Sequence, residues 1–279
     1  MKIDAHQHFW QYNPVRDSWI DDSMKVLRQD FLPKDLEVHL KEAGVAGCVA
    51  VQADQSEEET EFLLGLAAEN PMIKGVVGWV DLLAENVGER LARFSQNPLF
   101  KGVRHIVQAE ADPAFMQRAD FQRGIRALSE FELTYDILIY PNQLLSAIEL
   151  AKQFPDQSFV LDHMAKPLIK EQQFEPWKGH IEELAQNQNV YCKLSGAVTE
   201  ANWHGWDKTD ITPYFDIVYE AFGPERLMCG SDWPVCNLAG SYESVSVLME
   251  EYLSQFKEAV VQKVCGGNAI EFYKLNPEG

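Results

Sequence analysis

The sequence predicts an α/β protein built as one distorted (β/α)8 (TIM) barrel over residues 1–279, and three observations carry that reading. Eight apolar, β-branched runs recur at residues 2–8, 47–54, 73–82, 100–107, 134–140, 158–163, 189–196 and 227–232. Segments of helical periodicity separate them, and strands alternating with helices imply parallel pairing through βαβ units. About eight such units in roughly 250 residues is also the count and length of a closed barrel. An open doubly wound sheet would place a Gly-rich phosphate turn after an early strand, and the chain has none.

The first run, "KIDAHQHF", carries Asp4, His6 and His8. Strict alternation puts those three on one face and Ile3, Ala5 and Gln7 on the other. Two imidazoles side by side with a carboxylate suit a divalent metal or a charged reaction site. An HxH pair arises by chance in roughly one chain in six or seven of this composition, so the pair alone is weak. Its position closing the first barrel strand, and the cost of burying such groups unsatisfied, favour function over packing. Among the helices, "SEEETEFLLGLAAEN" opens on Ser56 with Glu59 three residues later, a capping signature. "NQLLSAIELAKQF" and "SYESVSVLMEEYLSQF" have similar periodicity. Two connections are long: residues 9–31, with Trp10, Tyr12 and Trp19, and residues 197–213, with Trp203, His204 and Trp206. Both follow strands, on the face where barrels build lids and walls.

The later strands end in chemistry. In "RLMCGSDWP", Asp232 follows a tight Gly230-Ser231 step at the mouth of the last strand, a natural place for a general base. Barrel closure brings it beside His6 and His8. In "FVLDHMAKP", His163 ends the sixth run with Lys166 three residues on. Lys193, in "NVYCKLSG", is a lysine amid strand residues. Lysines are rarely buried unpaired, which makes it a candidate to hold an oxyanion. In "FKGVRHIV", Arg104 and His105 face opposite ways, and Arg104 is the better candidate to point inward.

Composition narrows the classes. A 46% hydrophobic content supports a full core, while a net charge of −19 repels nucleic-acid phosphates. No run of about 18 apolar residues offers a membrane span. Met1 leads straight into the first run without a secretory signal, and the five cysteines form no CxxC pair. A cytoplasmic enzyme, monomer or homodimer, acting on a small molecule is the expectation.

The ordered set "DAHQHFW", "KGVRH", "LDHMAKP", "YCKLSG" and "GSDWP" resembles the amidohydrolase superfamily, and within it the L-fuconolactonase and L-rhamnonolactonase group. The resemblance spans residues 3–273 and implies hydrolysis of a sugar lactone to its aldonic acid, with Asp232 as general base. His163 or a metal would polarise the carbonyl, and Lys193 or Arg104 would stabilise the oxyanion. It also implies one divalent ion, zinc by preference, on His6, His8 and Asp232 with or without His163. Similar lactonases work without metal, which leaves metal-free catalysis open. Binuclear members bridge two ions with a lysine or glutamate, and Arg104 and Lys193 stand where such a centre needs other ligands. Gln52, Asp54 and Asp136 are expected to bond sugar hydroxyls, and Trp203 and Trp206 to offer flat faces to the ring. The alternatives are a zinc-dependent nonoxidative decarboxylase of the same superfamily and a non-catalytic sugar-binding barrel.

Overall fold

The computed structural model describes residues 1–276. Its eight strands are β1 (Ile3–Gln7), β2 (Gly47–Val51), β3 (Ile73–Gly78), β4 (Phe100–His105), β5 (Thr134–Ile137), β6 (Phe159–Leu161), β7 (Val190–Leu194) and β8 (Leu227–Cys229). They pair in parallel and in sequence order. A main-chain bridge between Gln7 and Trp233 closes the barrel, with His8 N–H donating to Trp233 O at 2.7 Å and Asp232 N–H to His6 O at 2.8 Å. The last strand must approach the first closely here, because a Cβ on Gly230 would lie 2.6 Å from the Cβ of His6.

A helix follows each strand: α1 (Pro33–Glu42), α2 (Glu57–Glu69), α3 (Val87–Phe94), α4 (Ala119–Ser129), α5 (Leu144–Gln153) and α6 (Trp177–Leu184). After these come a short α7 (Ala197–Glu200), then α8 (Lys208–Phe222) and α9 (Tyr242–Leu253). Ser56 caps α2 by accepting from Glu59 N–H, as the sequence suggested, and Ser241 caps α9 likewise. The predicted open connection over 197–213 is shorter than expected. Residues 197–200 form α7, and an Asp207–Asp210 capping box starts α8 early enough to take Pro213 inside it.

The apolar surfaces divide in two. Strand residues such as Cys48, Val76, Val103, Tyr135 and Ile137 face the helices in one large cluster. Ile3, Ala5, Val49, Val51, Val77, Val160 and Met228 fill the lower interior, sealed by Phe272, Tyr273 and Leu275. This layered filling leaves only the upper ends of the strands to hold polar groups.

The first strand departs from alternation. Asp4 pairs with Cys48 but Gln7 with Ala50, so three steps of β1 span two of β2. That is a β-bulge, and it resets which face each residue takes. Ala5 and His6 both face inward. Asp4 faces outward, where its carboxylate accepts from Ser231 Oγ–H at 2.6 Å and Ser231 N–H at 2.9 Å. The expectation that Asp4 shares a face with His6 and His8 is therefore corrected. It clamps the turn that carries Asp232.

Candidate active site

The polar groups converge just beyond the ladders, where each strand curls away and frees its side chains. The carboxylate Oδ1 of Asp232 lies 3.3 Å from His8 Nε2, 3.9 Å from His6 Nε2 and 3.8 Å from His163 Nε2. The two first-strand nitrogens, His6 Nε2 and His8 Nε2, stand 3.2 Å apart. His8 donates from Nδ1 to Val51 O at 2.8 Å, which turns Nε2 toward the cluster and Asp232. His163 pairs through Nδ1 with Ser195 Oγ at 2.9 Å.

Unusual backbone builds this convergence. His163, Met164, Ala165 and Lys166 all have positive φ, between 51° and 58°, one left-handed turn closed by Lys166 N–H donating to His163 O. Such residues cost about 1–2 kcal/mol each and persist only where their surroundings hold them. Here Trp177 Nε1–H donates to Met164 O at 2.7 Å, and Met164 and Ala165 are fully buried. Asp232 also has a positive φ, 57°. Gly196, at φ +64°, passes so close to the His163 ring that a Cβ would stand 2.6 Å from Nδ1.

A second tier of charge lies beneath. Arg104 donates to both oxygens of Gln52, to Asp162 Oδ2 at 3.0 Å, and points Nη1 at His6 Nε2, 3.3 Å away. Lys193 Nζ reaches Asp136 Oδ2 at 2.6 Å, Asp162 Oδ1 at 3.0 Å and His6 Nδ1 at 3.1 Å. Tyr273 O–H donates to the same Asp136 oxygen at 2.8 Å.

Protonation follows from these neighbours. Burial pushes His163 down to about 4, against the pull of Asp232 and Asp162. It also holds His6 well below the ordinary histidine range, and Lys193 adds to that against Asp162. Burial works to raise the Asp232 carboxyl, yet His163, His8 and His6 together hold it well below the usual carboxylate range. The carboxylate therefore carries the charge and the His6 and His163 rings are neutral near pH 7. Asp136 is pushed up to about 6 by burial, although Lys193 opposes the shift. Burial raises Asp162 too, but Lys193, His6 and Arg104 overcome it and keep that carboxyl low.

A cleft of about 310 Å³ opens above the cluster. That is the small end of the range for ligand pockets, suited to a single-ring molecule. Its lining includes His8, His163, Asp232, Arg104 and Lys166 with Trp10, Trp19, Gln55 and Gln108. The structure thus brings together His6, His8, His163, Arg104 and Asp232, as the sequence suggested. His105 points the other way, onto Phe115 and Glu110.

Other expected residues lie elsewhere. Lys193 is 0% exposed and lies under the cleft, so it cannot touch a substrate oxyanion. Gln52 and Asp136 are equally buried, Gln52 accepting from Arg104 and Asp136 accepting through Oδ2 alone from Lys193 and Tyr273. Asp54 accepts from Ser56 Oγ at the start of α2. Trp203 and Trp206 donate to Thr199 O and Ala239 O and line separate clefts. The indoles at the candidate site are Trp10 and Trp19, from the other long connection. Asp162 and Ser195 were not singled out by sequence. Asp162 is two residues after inward Val160, a signal that adjacent His163 masked. Nothing in the sequence distinguishes Gln108, whose Oε1 is buried without a hydrogen-bond partner.

The donor set fits a divalent ion. His6 Nε2, His8 Nε2 and Asp232 Oδ1 lie within 4.8 Å of one another, all buried; His6, Asp162 and His163 form a second such group. Ligand atoms about 2.0–2.1 Å from a tetrahedral ion such as zinc stand about 3.3 Å apart, close to two of the three spacings here.

The family model described as Amidohydrolase matches residues 3–275. This chain belongs to the amidohydrolase family. An L-fucono-1,5-lactonase of Burkholderia multivorans is 40% identical to this amidohydrolase, covering 99% of the chain and 96% of the relative. A second L-fucono-1,5-lactonase, from Burkholderia ambifaria, is 36% identical over 100% of the chain and 97% of its own length. A Burkholderia multivorans amidohydrolase crystallised with bound zinc superposes with a TM-score of 0.94 at 40% identity, covering 99% of this chain and 100% of that one.

Proposed function

We propose that this amidohydrolase opens a neutral sugar lactone to its aldonate, with L-fucono-1,5-lactone as the leading substrate. The observation that carries the reading is one ionised carboxylate facing three imidazole nitrogens at 3.3–3.9 Å on the floor of a small cleft. Full-length likeness to two proteins named as L-fucono-1,5-lactonases supports the choice of lactone.

Asp232 takes a proton from water poised over the lactone carbonyl, as a base held within hydrogen-bond reach can. A carboxylate kept ionised by its neighbours is always ready but intrinsically weak, so placement must supply much of the rate. His163, neutral and anchored by Ser195, shares the proton and returns it to the departing ring oxygen. Of the two cations expected to stabilise the developing oxyanion, Lys193 and Arg104, Arg104 lines the cleft and takes that role. Zinc on His6, His8 and Asp232 would polarise the carbonyl and acidify water when bound. Gln55, Gln108 and Lys166 are placed to meet sugar hydroxyls and the carboxylate of the product, and Trp10 and Trp19 to cover the ring.

The test is acid release from a panel of aldonolactones, followed with a pH indicator and by carbon dioxide trapping with hydroxybenzoates. Turnover of L-fucono-1,5-lactone above other sugars supports the reading. Acid release from no lactone, or carbon dioxide release instead, defeats it.

A further inference from the structure

His6 has a donor and an acceptor at each ring nitrogen. At Nδ1 stand the Lys193 ammonium, 3.1 Å away in hydrogen-bond geometry, and Asp162 Oδ1, 3.2 Å away. At Nε2 stand Arg104 Nη1, 3.3 Å away, His8 Nε2, 3.2 Å away, and the Asp232 carboxylate oxygen Oδ1, 3.9 Å away. A neutral imidazole carries one N–H, so it can satisfy only one donor and one acceptor at a time. Two complete arrangements result. In one, Lys193 donates to Nδ1 and Nε2–H faces His8 and the Asp232 carboxylate. In the other, Nδ1–H donates to Asp162 and the Nε2 lone pair is free for Arg104 or a metal ion.

The structure is built for both. It sets Lys193 Nζ in hydrogen-bond geometry with Nδ1 and holds Asp162 Oδ1, ion-paired with that ammonium at 3.0 Å, beside the same nitrogen. Asp136 Oδ1 is buried without a hydrogen-bond partner, an acceptor for the Lys193 proton that the second arrangement releases. We infer that Lys193 and Asp162 compete for Nδ1 of His6, so that Lys193 closes the site to metal by holding Nε2–H, and Asp162 opens it by holding Nδ1–H. In the exchange one proton leaves Nε2 and one arrives at Nδ1 through water, with no net change, and the metal takes the freed lone pair. The inference rests on His6 and His8 as ligands and not on lactone hydrolysis.

Zinc affinity, measured by competition with a chromophoric chelator, tests it. Lys193→Met combined with Asp136→Asn removes the cation and its counter-charge together, and should tighten zinc binding about tenfold or more. Asp162→Asn should weaken it by a similar factor, the size seen when groups behind metal ligands are changed. Arg104 will claim the amide oxygen, which turns the NH2 toward Nδ1 and reinforces the closed form. Nitrogen NMR of ¹⁵N-histidine wild type, with His6 assigned by loss in His6→Gln, needs neither variant to fold. It should show Nε2 protonated without metal and Nδ1 protonated with zinc. Unchanged or weaker binding by the double variant, unchanged binding by Asp162→Asn, or Nδ1 protonated in metal-free wild type would each overturn the inference. Neither readout involves turnover, so failure of the lactonase reading would be seen separately.

Discussion

Gly196→Ala asks whether the placement of one ring sets the rate. The residue sits at φ +64°, a conformation that costs alanine about 1–2 kcal/mol. The new Cβ would meet His163 at 2.6 Å from Nδ1 and 2.8 Å from Cγ. Comfortable contact begins near ~3.5 Å, so the ring must retreat by about 1 Å. Retreat breaks the 2.9 Å bond to Ser195 Oγ, worth about 1 kcal/mol. The sum is about 2–3 kcal/mol. Unfolding entropy for a chain of this size is about 0.6 kcal/mol per kelvin, so the melting temperature should fall by about 3–5 °C. Turnover should fall further, because a displacement of about 1 Å costs about 10² in rate. Differential scanning fluorimetry and lactone hydrolysis are to be read together, with His163→Ala as the reference. A kcat within about threefold of wild type, despite the lower melting temperature, would refute a catalytic role for the ring's position.

Asp232→Asn keeps the size of the side chain and removes the base, so kcat should fall by about 10² or more; retention of more than about a tenth of wild-type kcat ends that assignment. His6→Ala and His8→Ala should each lower bound zinc in elemental analysis of zinc-loaded protein; full metal content in either variant rejects that ligand. Asp4→Asn replaces one of two acceptors facing Ser231 with a donor, and should cost about 1–3 kcal/mol in chemical denaturation. Trp19→Ala should raise KM while Trp203→Ala leaves it unchanged, since only Trp19 lines the cleft; the opposite order would return the substrate to the 197–213 segment.

What the sequence made legible follows from what repeats. Eight runs and their spacing specify the barrel, because strand and helix periods are local and cumulative. Closure then places Asp232 beside His6 and His8 without any further information. The runs were drawn longer than the strands, however. Residues 162–163 and 230–232 curl out of the ladder, and that curling is how their side chains are freed. The bulge in β1 is invisible to alternation, so Asp4 was assigned to the wrong face. Lys193 was recognised as unusual but not as buried, because the three acceptors around it come from β1, β5 and the turn after β6. Trp10 and Trp203 look alike in sequence; only the Trp10–Phe31 bridge brings one long connection over the mouth.

Closure has a consequence for synthesis. His8 and Asp232 meet across 224 positions of chain, and Tyr273, still later, supplies a bond beneath them. At about 5–20 residues per second, the first strand leaves the ribosome about 11–45 s before its partner exists. Through that interval two imidazoles and their neighbouring carboxylates are open to solvent and to any cation in it. No shorter nascent segment can hold the reaction site, so activity cannot begin before Asp232 has been made and has reached the first strand.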